Sequence, residues 1–189
     1  LPLPVEEATL LLRVSEAQAL ERLNQWGGQP LPISASAFYN GDLGVRLSGA
    51  GAAVRAARER LGGESIAPDA ARTFWLGVRE QTDPFFAGDE PLWRLSVPSI
   101  ALPLDLPGRQ LIEWGGALRW LKSTAPAAQV RDAAIRAGGH ATLFRAAAGV
   151  GNVPVFNTLD ATTMAIHRRL KQALDPKGIF NPGRMYPGL

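Results

Sequence analysis

The sequence predicts an α+β fold, a ferredoxin-like antiparallel sheet with helices on one face. Three observations predict it. Apolar and alternating runs of strand length are interleaved with apolar residues at helical spacing. Gly-Gly pairs at 27–28, 62–63 and 138–139 stop three of the helices. The order strand, helix, strand, strand, helix over the first 61 residues is most of a split βαβ unit.

Each element has a local reason. The apolar run at 9–14 suits a buried strand, and Ser15 with Gln18 has the spacing of a capping box. Ala19, Leu20, Leu23 and Trp26 continue that helix. Residues 33–39 read as a strand, Asn40-Gly41-Asp42 as a tight turn, and Leu43, Val45 and Leu47 as one face of the returning strand. Val54, Ala57 and Leu61 line a helix over 50–61, after which a weak strand is expected at 64–67. Phe74, Trp75 and Val78 mark a helix over 69–82 that Asp83-Pro84 ends. Leu92, Arg94 and Ser96 alternate with Trp93, Leu95 and Val97, so both faces of this strand are expected to be partly covered.

A proline-rich link at 97–110 leads to a hairpin, 111–114 and 117–121, turning on Gly115-Gly116. A helix at 129–137, a strand at 140–146, a polar Gly/Asn stretch at 148–158 and a last helix at 160–174 complete the chain. The helix is carried by Met164, Ile166, Leu170 and Ala173. Two rounds of strand–helix–strand pieces therefore precede a terminal helix, forming one antiparallel sheet or two abutting ones.

Composition narrows the function. The 189 residues are 46% hydrophobic and 20% charged, ordinary for a globular chain. There is no cysteine, which removes disulfides, iron–sulfur clusters and thiolate zinc sites. The net charge is +3, from 17 Arg and 3 Lys against 17 acidic residues, without a run of five like charges. A nucleic-acid footprint is not visible. The opening "LPLPVEEATLLLRV" lacks a Met and lies close to a strand, which reads as a cut between domains of a longer protein.

The chemical motifs are few. "GAGAA" at 49–53 lacks the third glycine and the later acidic residue of a dinucleotide turn, so it reads as a small-residue helix start. His140 and His167 lie on different elements without acidic neighbours at ligand spacing, so no metal site is expected. His167, four residues before Lys171, reads as a solvated helix face. His140 follows a glycine pair, either as a structural residue or aimed into a cleft. "IEWGGALRWL" at 112–121 has two readings: a hairpin with aromatic packing, or a shelf where a flat ring meets backbone, with Arg119 free to bind a carboxylate. In "LDPKGIFNPGR" at 174–184, Pro176 to Gly178 end the helix and Ile179 and Phe180 are expected to pin the tail to a core.

With "FWLGVRE", "LWRLSVPS", "IEWGGALRWL" and "GGHATLFR", that closing segment resembles FAD-linked oxidases of the vanillyl-alcohol-oxidase and D-lactate-dehydrogenase type, nearest to the FAD-binding subunits of bacterial glycolate oxidases. The resemblance implies that residues 1–189 are the C-terminal cap domain, with the N-terminal FAD-binding domain absent from this chain. It implies FAD as cofactor, bound mainly by the missing domain, and oxidation of a 2-hydroxy acid with hydride passing to the flavin. The cap would cover the isoalloxazine ring and help form the substrate pocket. Asn181, Arg184, Trp114 and Gly115 are then the expected cofactor contacts. Arg119, Arg145 or Arg184 would supply the cation for a substrate carboxylate, and His140 an imidazole base. A second flavin subunit and an iron–sulfur subunit are the implied partners, in the cytoplasm and peripheral to the inner membrane through those subunits. Whether the subunit turns over substrate or passes electrons stays open, and a stand-alone ligand-binding module or a structural subunit are the rival readings.

Overall fold

The computed structural model describes residues 3–147 and 153–189. The expected elements form in order: β1 (Glu6–Arg13), α1 (Glu16–Gly27), β2 (Ile33–Tyr39), β3 (Asp42–Gly49), α2 (Gly51–Leu61), β4 (Glu64–Ser65), α3 (Pro68–Glu80), β5 (Leu92–Ser96), β6 (Arg109–Glu113), β7 (Leu118–Lys122), α4 (Ala127–Arg136), β8 (His140–Arg145) and α5 (Ala161–Leu174). The Ser15 capping box closes as expected, with Ser15 and Gln18 each accepting from the other's backbone N–H. The weak fourth strand shrinks to two exposed residues. Of the polar stretch at 148–158, residues 148–152 lie outside the described residues.

All eight strands join one antiparallel sheet in the order β4-β1-β3-β2-β6-β7-β5-β8. Outward from the β2–β6 seam, each half runs in the same sequence-relative order. Two split βαβ-like units thus meet through their second strands. The second unit lacks a helix between β5 and β6. Pro98, Pro103 and Pro107 fall in that link, and each proline removes a backbone donor.

Arg119 holds the proline link in place. It is fully buried, and its guanidinium donates to the carbonyls of Gly116 (3.1 Å), Leu102 (3.1 Å) and Ala101 (2.7 Å).

Leu10, Leu12, Leu43, Val45 and Leu47 face α1 and α2, while Trp93, Leu95, Leu121, Ala141 and Leu143 face α4. Each such leucine contributes roughly 1.5–3 kcal/mol on burial. The expectation of helices on one face holds for α1, α2 and α4 but fails for α3. Strand alternation sends Thr9 and Gly44 to the opposite face. There the Trp75 indole donates to Thr9 Oγ1 at 2.9 Å, and a Cβ added at Gly44 would lie 3.1 Å from the Phe74 ring. The missing side chain at Gly44 is what lets α3 settle on this face.

α5 buries none of its residues. The segment before it follows the outer edge of β8, where the Leu143 amide donates to the Val155 carbonyl at 2.9 Å.

Candidate functional site

α3 covers only part of its face of the sheet. Beside it opens a cleft of about 1330 Å3. Trp75, Leu76 and Arg79 of α3 form one wall. The strands supply Arg46, Arg94, Glu113, Trp120 and Phe144, and Trp114 with Gly115 stands at the turn after β6.

The aromatic floor is fixed by packing. Phe85, Phe86, Trp120 and Phe144 meet edge to face in succession, with centroids 5.0–5.7 Å apart, a geometry favoured by the ring quadrupoles. The Trp120 indole donates to Glu113 Oε2 at 2.7 Å, fixing that carboxyl at the cleft. Burial pushes the Glu113 carboxyl above its ordinary range, opposed by the Trp120 hydrogen bond and then by the charge of Arg94. Arg94 lies over the Trp114 ring, 5.6 Å from its centroid, and Arg46 over Trp75 at 6.0 Å.

The turn explains why Trp114 is presented. Trp114, Gly115 and Gly116 all have positive φ. At Gly116 a Cβ would stand 2.9 Å from both the Ser99 carbonyl and Leu20, so only glycine fits. The Gly115 amide donates to Ser36 Oγ at 3.0 Å. The tight turn leaves the Trp114 side chain 68% exposed at the cleft rim. The hairpin is a packed turn, as the first reading has it, and it presents an exposed aromatic ring; the free Arg119 of the second reading is not found beside that ring.

The other sequence-predicted residues are dispersed. Arg119 lies on the helix-covered face, with its donors committed to carbonyls and Glu16 at 3.8 Å, so it has no free edge for a substrate. Arg145 donates to the Phe86 carbonyl and to Gln81, and lines a small separate pocket with Lys122. His140 is exposed at the start of β8, outside the cleft lining. Asn181 and Arg184 lie on the exposed tail, also outside it.

The tail is ordered from within. Asp175 accepts from the amides of Ile179 (3.0 Å) and Phe180 (2.9 Å) and pairs with Lys171 at 2.6 Å. Ile179 and Phe180 do not pin it to a core as expected: they are 66% and 64% exposed. The Asp175 clip stiffens the tail without burying it. His167 is partly covered instead of fully solvated, its Nδ1 2.9 Å from the Thr163 carbonyl.

Arg46, Arg94 and Glu113 escaped the sequence reading. The available signal was a charged residue at the centre of each short apolar strand "LWRLS" and "GVRLS", and one at the end of "RQLIE". Among the described residues no group of three metal-ligating side chains occurs, and no helix is long and apolar enough to cross a membrane.

No solved structure matches the chain significantly. Residues 125–185 match the family described as FAD linked oxidases, C-terminal domain. All 189 residues align with the glycolate oxidase subunit GlcE of Escherichia coli (strain K12) at 49% identity. The chain spans about half (51%) of the length of that curated relative. The chain is thus similar over its whole length to a glycolate oxidase subunit, and its residues 125–185 are similar to the C-terminal domain of the FAD linked oxidases.

Proposed function

We propose that residues 1–189 are the cap domain of an FAD-dependent oxidoreductase acting on the CH–OH group of a 2-hydroxy acid, glycolate being the first substrate to test. The observation that carries this reading is the open sheet face beside α3, a cleft lined by Trp75, Trp114, Trp120 and Phe144 with Arg46 and Arg94 among them. The donor set fits a flavin presented from outside the chain: flat apolar faces suit its ring, and arginines suit an anion beside it. A bound flavin would supply the hydride acceptor. This chain's own part is to cover the ring, keep water from it and orient the acid. Trp114 and Gly115 would meet the ring at the cleft rim, while Asn181 and Arg184 would reach the cofactor domain from the clipped tail. That domain is the upstream half of the same polypeptide. A second flavin subunit and an iron–sulfur subunit of a glycolate oxidase complex are the proposed further partners, at the cytoplasmic face of the inner membrane.

The test is to compare the full-length protein with residues 1–189 alone. The full-length protein should be yellow and reduce a dye acceptor when glycolate is added, whereas the isolated chain should be colourless and inactive. A full-length preparation without flavin would end this reading.

One observation favours a second reading, in which the subunit passes electrons and takes no proton from substrate. Neither His140 nor His167 lines the cleft. Anaerobic mixing of the purified full-length subunit with glycolate separates the two. Bleaching of its own flavin supports substrate oxidation; an unbleached flavin supports electron transfer only.

A further inference from the structure

We infer that Arg94 and Glu113 form the acid-recognition site of the cleft, Arg94 binding the carboxylate of a small 2-hydroxy acid and Glu113 accepting from its hydroxyl. The inference rests on the cap-domain reading for the identity of the acid, and on geometry for the site.

The two side chains stand on the same face of three adjacent strands. Arg94 on β5 is the cross-strand partner of Trp120 on β7. Trp120 in turn holds Glu113 at the end of β6 through its indole N–H. Strand alternation leaves Arg94 and Glu113 on the cleft side, while Trp93, Leu95, Ile112 and Leu121 fill the cores beneath the helices. Both line the cleft.

Arg94 is uncommitted. Among the described residues it makes no hydrogen bond and no ion pair, in contrast to Arg119, Arg145 and Arg79. The Trp114 ring packs against its guanidinium, 5.6 Å from Cζ to ring centroid, without taking up its N–H donors. A planar fork of this kind matches a carboxylate through two parallel hydrogen bonds. Glu113 lies close enough to feel the charge of Arg94, yet no salt bridge joins them. A cation and a fixed carboxyl that face one cleft without pairing leave a gap between them. A molecule with an anionic end and an adjacent hydroxyl donor fills that gap; a simple carboxylate uses only the Arg94 side of it. Glu113 Oε2 is taken by Trp120, so Oε1 is the acceptor for the hydroxyl.

The experiment uses the full-length protein and two probes, glycolate as the hydroxy acid and oxalate as an acid without a hydroxyl. Oxalate affinity is read by tryptophan fluorescence, which needs no turnover, and glycolate affinity by KM in dye reduction. Arg94→Gln should weaken oxalate binding and raise the glycolate KM at least tenfold, with flavin content unchanged. Arg94→Lys, which keeps the charge and loses the fork, should fall between. Glu113→Gln should raise the glycolate KM severalfold and leave oxalate affinity within twofold. If Arg94→Gln leaves oxalate affinity within twofold, the inference is overturned.

Should Arg94→Gln fail to fold, Arg94→Met makes the same test, because its apolar side chain still packs on the Trp114 ring while the donors are lost. Loss of the guanidinium should weaken oxalate at least tenfold, and an affinity within twofold would overturn the site. A wild-type protein without flavin that binds oxalate through Arg94 would refute the cap-domain reading alone. A yellow, active protein with Arg94-independent binding would refute the site alone.

Discussion

Arg119 and Arg94 lie on neighbouring strands, Leu95 being the partner of Arg119, and point to opposite faces of one sheet. That single difference in parity separates a structural arginine from an available one. Burial pushes Arg119 down from the usual arginine range, with the nearby Glu16 charge opposing, and Glu16 is itself raised by burial. The buried carbonyl of Gly116, the partly buried carbonyls of Ala101 and Leu102, and Glu16 would lose their donor in Arg119→Met. Removing one side of a buried ionic cluster costs about 3–5 kcal/mol. Urea unfolding of Arg119→Met should show a loss of that size, with no change in the glycolate KM of molecules that remain folded. A loss below about 1 kcal/mol would mean that the proline link does not depend on this guanidinium.

At the scale of elements, the carboxyl-terminal clip is held by polar contacts that all converge on Asp175. The Lys171 ammonium, then the Phe180 and Ile179 amides, hold the Asp175 carboxyl down to about 2. Its folded pKa lies below its unfolded one. The stabilisation it contributes is therefore complete above the ordinary carboxylate range and is lost as pH falls through about 2. Amide exchange at Ile179 and Phe180 should stay protected from pH 6 to about pH 4, weaken below that, and vanish near pH 2. In Asp175→Asn both amides should exchange faster already at pH 6. Midpoint loss near the ordinary carboxylate value in the unaltered chain would show that the clip does not form. α3 illustrates the other side of element-scale reasoning: its amphipathic pattern predicts a helix, but Gly44 and Thr9 on β3 and β1 decide which face receives it.

Across the whole molecule, two half-sheets meet at the β2–β6 seam, and their uncovered side forms the cleft. Away from it, α5 and the tail expose Ile166, Leu170, Leu174, Ile179 and Phe180. On the proposed reading the upstream cofactor domain covers them, and Asn181 and Arg184 touch the cofactor there. In the full-length protein, Asn181→Ala and Arg184→Ala should lower the flavin-to-protein ratio at least twofold without changing the far-ultraviolet dichroism. Full flavin content in both variants would remove these residues from the cofactor site.

Helix and strand positions were legible in the sequence because they rest on local physics. The capping box at Ser15, the positive-φ glycines at 62–63 and 115–116, and the alternation through β3 and β5 each act within a few residues. The closing motif also carried the resemblance to the FAD-linked oxidases, since it is contiguous. The sequence alone could not say which arginine faces the cleft, which face takes α3, or that Ile179 and Phe180 stay uncovered. Those outcomes depend on pairings between residues far apart in the chain: Glu113 with Trp120, Trp75 with Thr9, and Arg119 with Ala101 and Leu102. Alternation says that neighbouring side chains part to opposite faces, but only the packed sheet decides which face is buried and which is open.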